Sequence, residues 1–294
     1  MRILETYKGV KKNYSIGLQD DHQVKRFSFR ACHYILSCNE NNLKVKVEED
    51  SRSLITSSTQ TDIDLVNYVC KGRTELNEIL IDTEWMQVTR GALRTLKRRA
   101  WVMDMVIDMF GVMCTVNATG FFYLPTTVKL VDPIKRNYIG NNYIKNDYMP
   151  GIATKIEKVF FPICHGDHWL ACVIDVQKKK KFILDSNTPK KSHNLFIDRN
   201  ELISKIVQNV EKAIMRPYCY TSLMGMSLFE SVHLDVPQQK NGYDCGVFLL
   251  KWLAVGNNET LSKSEDYYNN LDDYRQTIML QLLKWDKNKL KVFS

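Results

Sequence analysis

Between Val236 and Trp252 the sequence changes period part-way, and that change limits what the chain can become. Pro237 closes an apolar run, and Gln238, Gln239 and Lys240 lead into Asn241-Gly242, a turn signal. From Cys245 onward the pattern is helical, with Cys245, Phe248, Leu249, Trp252 and Leu253 at i, i+3, i+4, i+7 and i+8. Val247, Leu250 and Ala254 cover much of the other side, so a buried helix is expected. Cys245 then stands in the first turn, at the loop-to-helix junction, where the partial positive charge of a helix N-terminus favours an anion. Gly246 leaves room for a substrate carbonyl. The same position also suits a cysteine that only packs.

The segments upstream supply a sheet. Residues 159–164 and 169–175 read as apolar strands joined by the turn His165-Gly166-Asp167-His168, and 182–186 as a third strand beyond a Lys178 to Lys181 hairpin tip. Residues 231–236 form a fourth strand that feeds the Cys245 loop. Thr89 caps a short helix over 90–96, and 101–110 reads as an apolar helix with Asp104 and Asp108 on one face. Phe121 to Leu124 reads as a strand, and 137–150 as a loop rich in Asn and Tyr. Asp198 with Glu201 resembles a capping-box start for a helix whose face is Ile203, Ile206, Val207, Val210 and Ile214. Leu271, Tyr274, Ile278, Leu282 and Trp285 suit a closing helix, and both late helices read as packing elements. Helices, then strands, then helices make an α+β protein with a mixed or antiparallel central sheet.

Residues 1–84 read as an N-terminal extension and 85–294 as the catalytic domain. The extension offers short strand-like runs near Phe27, His33 and Val45, and a Ser/Thr-rich stretch over 51–61 that reads as a linker or long loop. With no long apolar run and no signal-like apolar core in the first twelve residues, no membrane association is expected. The eight scattered cysteines contain no C-x-x-C pair and read as reduced thiols, which places the protein in the cytoplasm or nucleus. The net charge of +8 favours acidic partners. Its clusters, at Arg94 to Arg99 and Lys178 to Lys181, read as solvated surface, and no nucleic-acid partner is expected.

A thiol nucleophile needs a base, a group to orient the base, and donors for an oxyanion. Of the six histidines, His168 stands where a loop enters a buried strand beside Trp169. Asp185 ends the strand that would pair with it across the hairpin, close enough to fix the imidazole tautomer. Gln239, six residues before Cys245, can aim an amide N–H at an oxyanion. Other readings exist: His165 as the base, or Cys164, His165 and His168 as zinc ligands, although no second ligand pair has suitable spacing.

His168-Trp169, then Asp185-Ser186, then Gln239-x-Asn-Gly-Tyr-Asp-Cys245-Gly together resemble the ubiquitin-like-protein-specific (SUMO-type) cysteine protease family, of which the adenoviral protease is a distant relative. The likeness runs from about Thr89 to Trp285, and the wording around Cys245 is similar to plant members, many of them encoded in mobile elements. The resemblance implies a papain-like α+β fold with His168 as base, Asp185 as its orienter, Cys245 as nucleophile and Gln239 as oxyanion donor. It implies that Trp101 and Trp169 frame a channel for a Gly-Gly tail, although Val102 and Met103 replace the family's Leu and Asn. Both tryptophans also read as ordinary core residues. The implied activity is cysteine-type cleavage after the C-terminal Gly-Gly of a ubiquitin-like modifier, by a monomer with no metal or other cofactor, favouring the nucleus. Alternatives are an inactive modifier-binding module, a mobile-element protease with another substrate, and a basic nucleic-acid-associated protein.

Overall fold

The computed structural model describes residues 59–71, 75–83, 86–115, 121–126, 156–218, 225–255 and 264–290. The strand-like runs near Phe27, His33 and Val45, residues 51–58 and the 137–150 loop lie outside them.

Helix α1 (Gln60–Cys70) begins within the Ser/Thr-rich stretch because Thr59 and Asp62 form a reciprocal capping box, at 3.2 and 3.1 Å. Its C-terminal Cys70 carbonyl accepts from Arg94 at 3.0 Å and from Lys97 at 2.6 Å. Arg98 pairs with Asp272. Much of the first basic cluster is therefore occupied within the fold. Strands β1 (Ile79–Asp82) and β2 (Gln87–Thr89) form an antiparallel pair. Thr89 caps α2 (Arg90–Leu93) through Ala92 N–H, and a 3₁₀ turn (Arg94–Leu96) follows. Leu65, Val69, Leu80 and Ile81, all before residue 85, belong to the same core as Phe248 and Trp252.

Helix α3 (Asp104–Thr115) starts three residues later than the apolar run suggests. Met103 sends its N–H to Thr95 Oγ1 at 3.1 Å, while its carbonyl accepts from Val106 and Ile107. Trp101 thus lies in an extended lead-in. The main sheet holds β3 (Phe121–Tyr123), β4 (Lys158–His165), β5 (His168–Asp175), β6 (Lys180–Leu184) and β7 (Glu230–His233), in that spatial order. The β4–β5 and β5–β6 pairs are antiparallel and the outer pairs parallel, so the sheet is mixed. Every residue of central β5 is buried, as its unbroken apolar run from Trp169 to Ile174 requires. Lys181, read as part of a solvated hairpin tip, instead lies in β6, where it is buried and donates to the Ser227 carbonyl at 2.8 Å.

Helix α4 (Asn194–Tyr218) begins a turn before the expected start. His193 Nδ1, not Asp198, accepts from the first-turn Leu195 N–H at 3.1 Å. Helix α5 (Cys245–Val255) lies against β5 and α3, with α6 (Leu271–Lys284) packed beside it. No helix among the described residues is long and apolar enough to cross a membrane.

Candidate active site

The loop before α5 is locked before it reaches Cys245. Asn241 Oδ1 accepts from the N–H groups of Tyr243 and Asp244, both at 3.0 Å, an Asx turn, and its Nδ2 donates to Asp244 Oδ2 at 2.6 Å. The Asp244 carbonyl accepts from Val247 and Phe248, which starts the helix. Cys245 is the first helical residue and is 2% exposed.

His168 opens β5 and Asp185 follows β6, so the antiparallel hairpin brings them side by side. His168 Nε2 meets Asp185 Oδ1 at 2.7 Å, and the Cys245 thiol lies near enough to the ring to interact with it. With Nε2 engaged by the carboxylate, Nδ1 is the nitrogen left for sulfur. Burial pushes the His168 pKa down, but the hydrogen bonds and charges of Asp185 and Cys245 outweigh it, and the value lies above that of free imidazole. Burial likewise raises the Asp185 pKa. The bond and charge of His168, the Asn187 N–H at 2.9 Å and the Arg199 guanidinium outweigh this and hold it below the usual carboxylate value. His165 sits opposite His168 on β4, but Asp185 is bonded by His168. Among the described residues no three His, Cys, Asp or Glu side chains are grouped to hold a metal ion.

Gln239 is tethered at both ends of its amide. Ser186 Oγ donates to its Oε1 at 2.8 Å, and its Nε2 donates to the Asn241 carbonyl at 2.7 Å. These contacts fix which end is nitrogen and leave one amide hydrogen uncommitted. The Gln239 N–H also donates to the Ser186 carbonyl at 2.7 Å, so the loop is stitched to the residue after Asp185.

Trp169 is buried, and its indole N–H donates to the Val102 carbonyl at 3.1 Å. Trp101, the next residue back, is 53% exposed and is no core residue. Gly246 also has a packing reason. A Cβ there would lie 2.7 Å from Val102 Cβ and 3.0 Å from Val102 Cγ2, so the glycine admits the 101–103 segment rather than only a substrate.

Two arginines escaped the sequence reading, and both lie on helices read as packing elements. Arg275 of α6, fully buried, donates through Nη2 to Asp244 Oδ1 at 2.7 Å and to the Tyr243 carbonyl at 3.1 Å. Its Nη1 reaches the carbonyls of Thr95 and Lys97, at 3.3 and 3.2 Å. Arg199 of α4, also buried, donates to Asp185 Oδ2 at 2.5 Å and to the Asn187 carbonyl at 2.7 Å. Neither carries a local signal, because a solvated arginine fits an amphipathic helix equally well.

Comparison with known proteins gives a consistent picture. The model of the Ulp1 protease family, C-terminal catalytic domain, matches residues 129–284. The chain is 27% identical over 205 residues to Ubiquitin-like-specific protease 1 of Saccharomyces cerevisiae, covering 67% of this chain and 29% of that protein. To Ubiquitin-like-specific protease ESD4 of Arabidopsis thaliana it is 26% identical over 182 residues, covering 57% of this chain and 35% of the relative. The chain thus spans well under half the length of either relative. Among solved structures it is similar to the C-terminal Ulp1 protease domain in complex with Smt3, the yeast ortholog of SUMO. The TM-score is 0.61 at 22% identity, over 78% of this chain and 97% of that one, a likeness of fold. Because the family model spans more than half of the 294 residues and takes in His168, Asp185, Gln239 and Cys245, this chain belongs to the Ulp1 protease family.

Proposed function

We propose that the protein is a cysteine peptidase and isopeptidase that cleaves after the C-terminal Gly-Gly of a SUMO-type modifier. One observation carries this reading: a single buried imidazole, that of His168, is bonded to the Asp185 carboxylate and interacts with the Cys245 thiol. The relatives' names, which refer to ubiquitin-like modifiers, and the Smt3 bound to one of them support the substrate class.

In this mechanism His168 Nδ1 takes the Cys245 proton, giving a thiolate beside an imidazolium that Asp185 stabilises and orients. The thiolate attacks the terminal glycine carbonyl. The oxyanion is met by the uncommitted Gln239 amide hydrogen and by the Cys245 N–H, which like other first-turn amides has no acceptor within its own helix. Collapse expels the lysine or peptide amine, which takes the proton from His168 and leaves a thioester. His168 then deprotonates water, whose attack frees the modifier's carboxylate and restores the thiol. No step calls for a metal or organic cofactor. Trp169, pinned to Val102 beside Gly246, and exposed Trp101 suit the walls of a slot that passes only residues without side chains. The reduced thiol this chemistry needs suits the nucleus or cytoplasm, and we place the protein there.

The test exposes the protein to ubiquitin-like modifiers carrying C-terminal electrophiles and identifies covalent adducts by mass. SUMO trapped on Cys245 is the expected result. Capture of a different modifier would overturn the substrate assignment. No adduct with any of them, together with no hydrolysis of their C-terminal amides, would overturn the catalytic reading.

A further inference from the structure

Asp185 has two carboxylate oxygens with separate duties. Oδ1 receives His168 Nε2 and the Asn187 N–H, while Oδ2 receives Arg199 Nη1. The same Arg199 nitrogen also donates to the Asn187 carbonyl, so one cation grips the orienting residue and the turn that follows it. Arg199 Nε has no partner among the described residues, although it is buried. Here the geometry is spent on a single carboxylate oxygen and a single carbonyl.

We propose that Arg199 is a positioning residue of the catalytic apparatus, holding Oδ2 so that Asp185 presents Oδ1 to His168 and balancing the carboxylate's charge. The proposal rests on the cysteine-protease reading above. A carboxylate held by one oxygen alone can rotate about its terminal torsion, which is broad. Held at both oxygens, it has one orientation. The charge has a second effect: a permanent cation behind Asp185 favours the carboxylate over the acid and weakens the field that favours imidazolium at His168.

The groups facing Asp185 come from three elements. They are His168 of β5, Arg199 of α4 and, at longer range, His233 at the end of β7; Cys245 of α5 faces His168 from its other side. Burial first, and then Lys191, hold His233 below the ordinary imidazole value despite Asp185, so it does not duplicate the charge of Arg199.

Two readouts test this. One is hydrolysis of SUMO bearing a C-terminal aminomethylcoumarin, followed against pH. The other is iodoacetamide alkylation of Cys245, read by peptide mass against pH, which needs no modifier. In Arg199→Met, Asp185 and His168 should both hold a proton to higher pH. The acid and alkaline limbs should each move up by about one pH unit, the Coulomb effect of one buried charge a few ångströms away. Hydrolysis should fall about tenfold to a hundredfold, as expected for a misoriented base. Arg199→Lys, which keeps the positive charge, should keep the limbs in place and recover part of the rate. If the Met variant does not fold, Arg199→Gln removes the charge while keeping a donor and carries the same expected shift. Limbs that stay put in the uncharged variant, or a Lys variant that behaves like it, overturn the role of Arg199. Wild-type protein that neither hydrolyses the amide nor alkylates at Cys245 overturns the catalytic reading instead, so the two failures are distinct.

Discussion

Gly246→Ala should damage both stability and turnover, for a reason read from one contact. The added Cβ would stand 2.7 Å from Val102 Cβ, whereas carbon atoms in contact rest about 3.5–4.0 Å apart. The 101–103 segment must therefore retreat by about 1 Å, because Gly246 lies in the first turn of a buried helix that cannot yield. Trp169 Cδ1, at 3.4 Å, is in ordinary contact and is not itself pushed. Its indole N–H, however, donates to the Val102 carbonyl at 3.1 Å, and that bond breaks if Val102 moves alone. Overpacking costs about 1–3 kcal/mol. A displacement of about 1 Å beside reacting groups can cost about a hundredfold in rate. Urea unfolding measures the first effect, and the rate of labelling by a SUMO C-terminal electrophile measures the second. Val102→Gly alone opens a void and destabilises. Combined with Gly246→Ala it removes both Val102 Cβ and Cγ2, the atoms that collide, so the double variant should be more stable than the two single changes predict by about 1 kcal/mol or more. Strict additivity, or a Gly246→Ala protein with wild-type stability and labelling, would refute the reasoning.

Cys245→Ala should abolish turnover yet retain SUMO binding by titration calorimetry, and Cys164→Ala should leave hydrolysis intact. Asp185→Asn should lower the hydrolysis rate by up to about four orders of magnitude, the loss seen when a triad carboxylate becomes an amide. It should also unfold more easily, since buried Arg199 loses its counter-charge. The same change alters the pH dependence of stability. Asp185 is held low in the fold, so its contribution is present above the unfolded carboxylate pKa and is lost as pH falls through the folded value. His168 is held high, so its contribution is complete below the unfolded imidazole pKa and is lost as pH rises through the folded value. Both slopes should flatten in the Asn variant in urea titrations across pH. Gln239→Ala should lower kcat about 10²–10³-fold with KM little changed. Ser186→Ala, which frees the amide to rotate, should move the same parameter by less. Arg275→Met should cost about 3–5 kcal/mol in urea, because Asp244 is left buried without its cation.

Much of the site was legible because its signals are local. The switch from turn residues to helical period located Cys245 at a helix start. Two apolar strands separated by a lysine-rich tip brought His168 and Asp185 together, and Thr89 announced its own helix. What could not be read depends on distant partners. Arg199 and Arg275 look like solvent-facing residues until the elements they reach are known. The run from Trp101 to Phe110 is apolar apart from Asp104 and Asp108 and shows no break at Asp104, where α3 begins; the Thr95 hydroxyl, eight residues before Met103, holds the Met103 N–H outside the helix. In the same way, composition made residues 59–61 resemble a linker, although Thr59 and Asp62 close a capping box.

The grip of Arg275 on Asp244 also bears on when the setting of Cys245 is completed. Asp244 waits 31 residues for its buried partner, and the carbonyls of Thr95 and Lys97 wait far longer. During synthesis, the sheet, His168, Asp185 and Cys245 all leave the ribosome before α6 does. A nascent chain halted short of Arg275 therefore carries its nucleophile next to a carboxylate, that of Asp244, without its cation. The setting of Cys245 is thus completed only by a helix that comes late in the chain, and it stays incomplete in any chain that lacks Arg275.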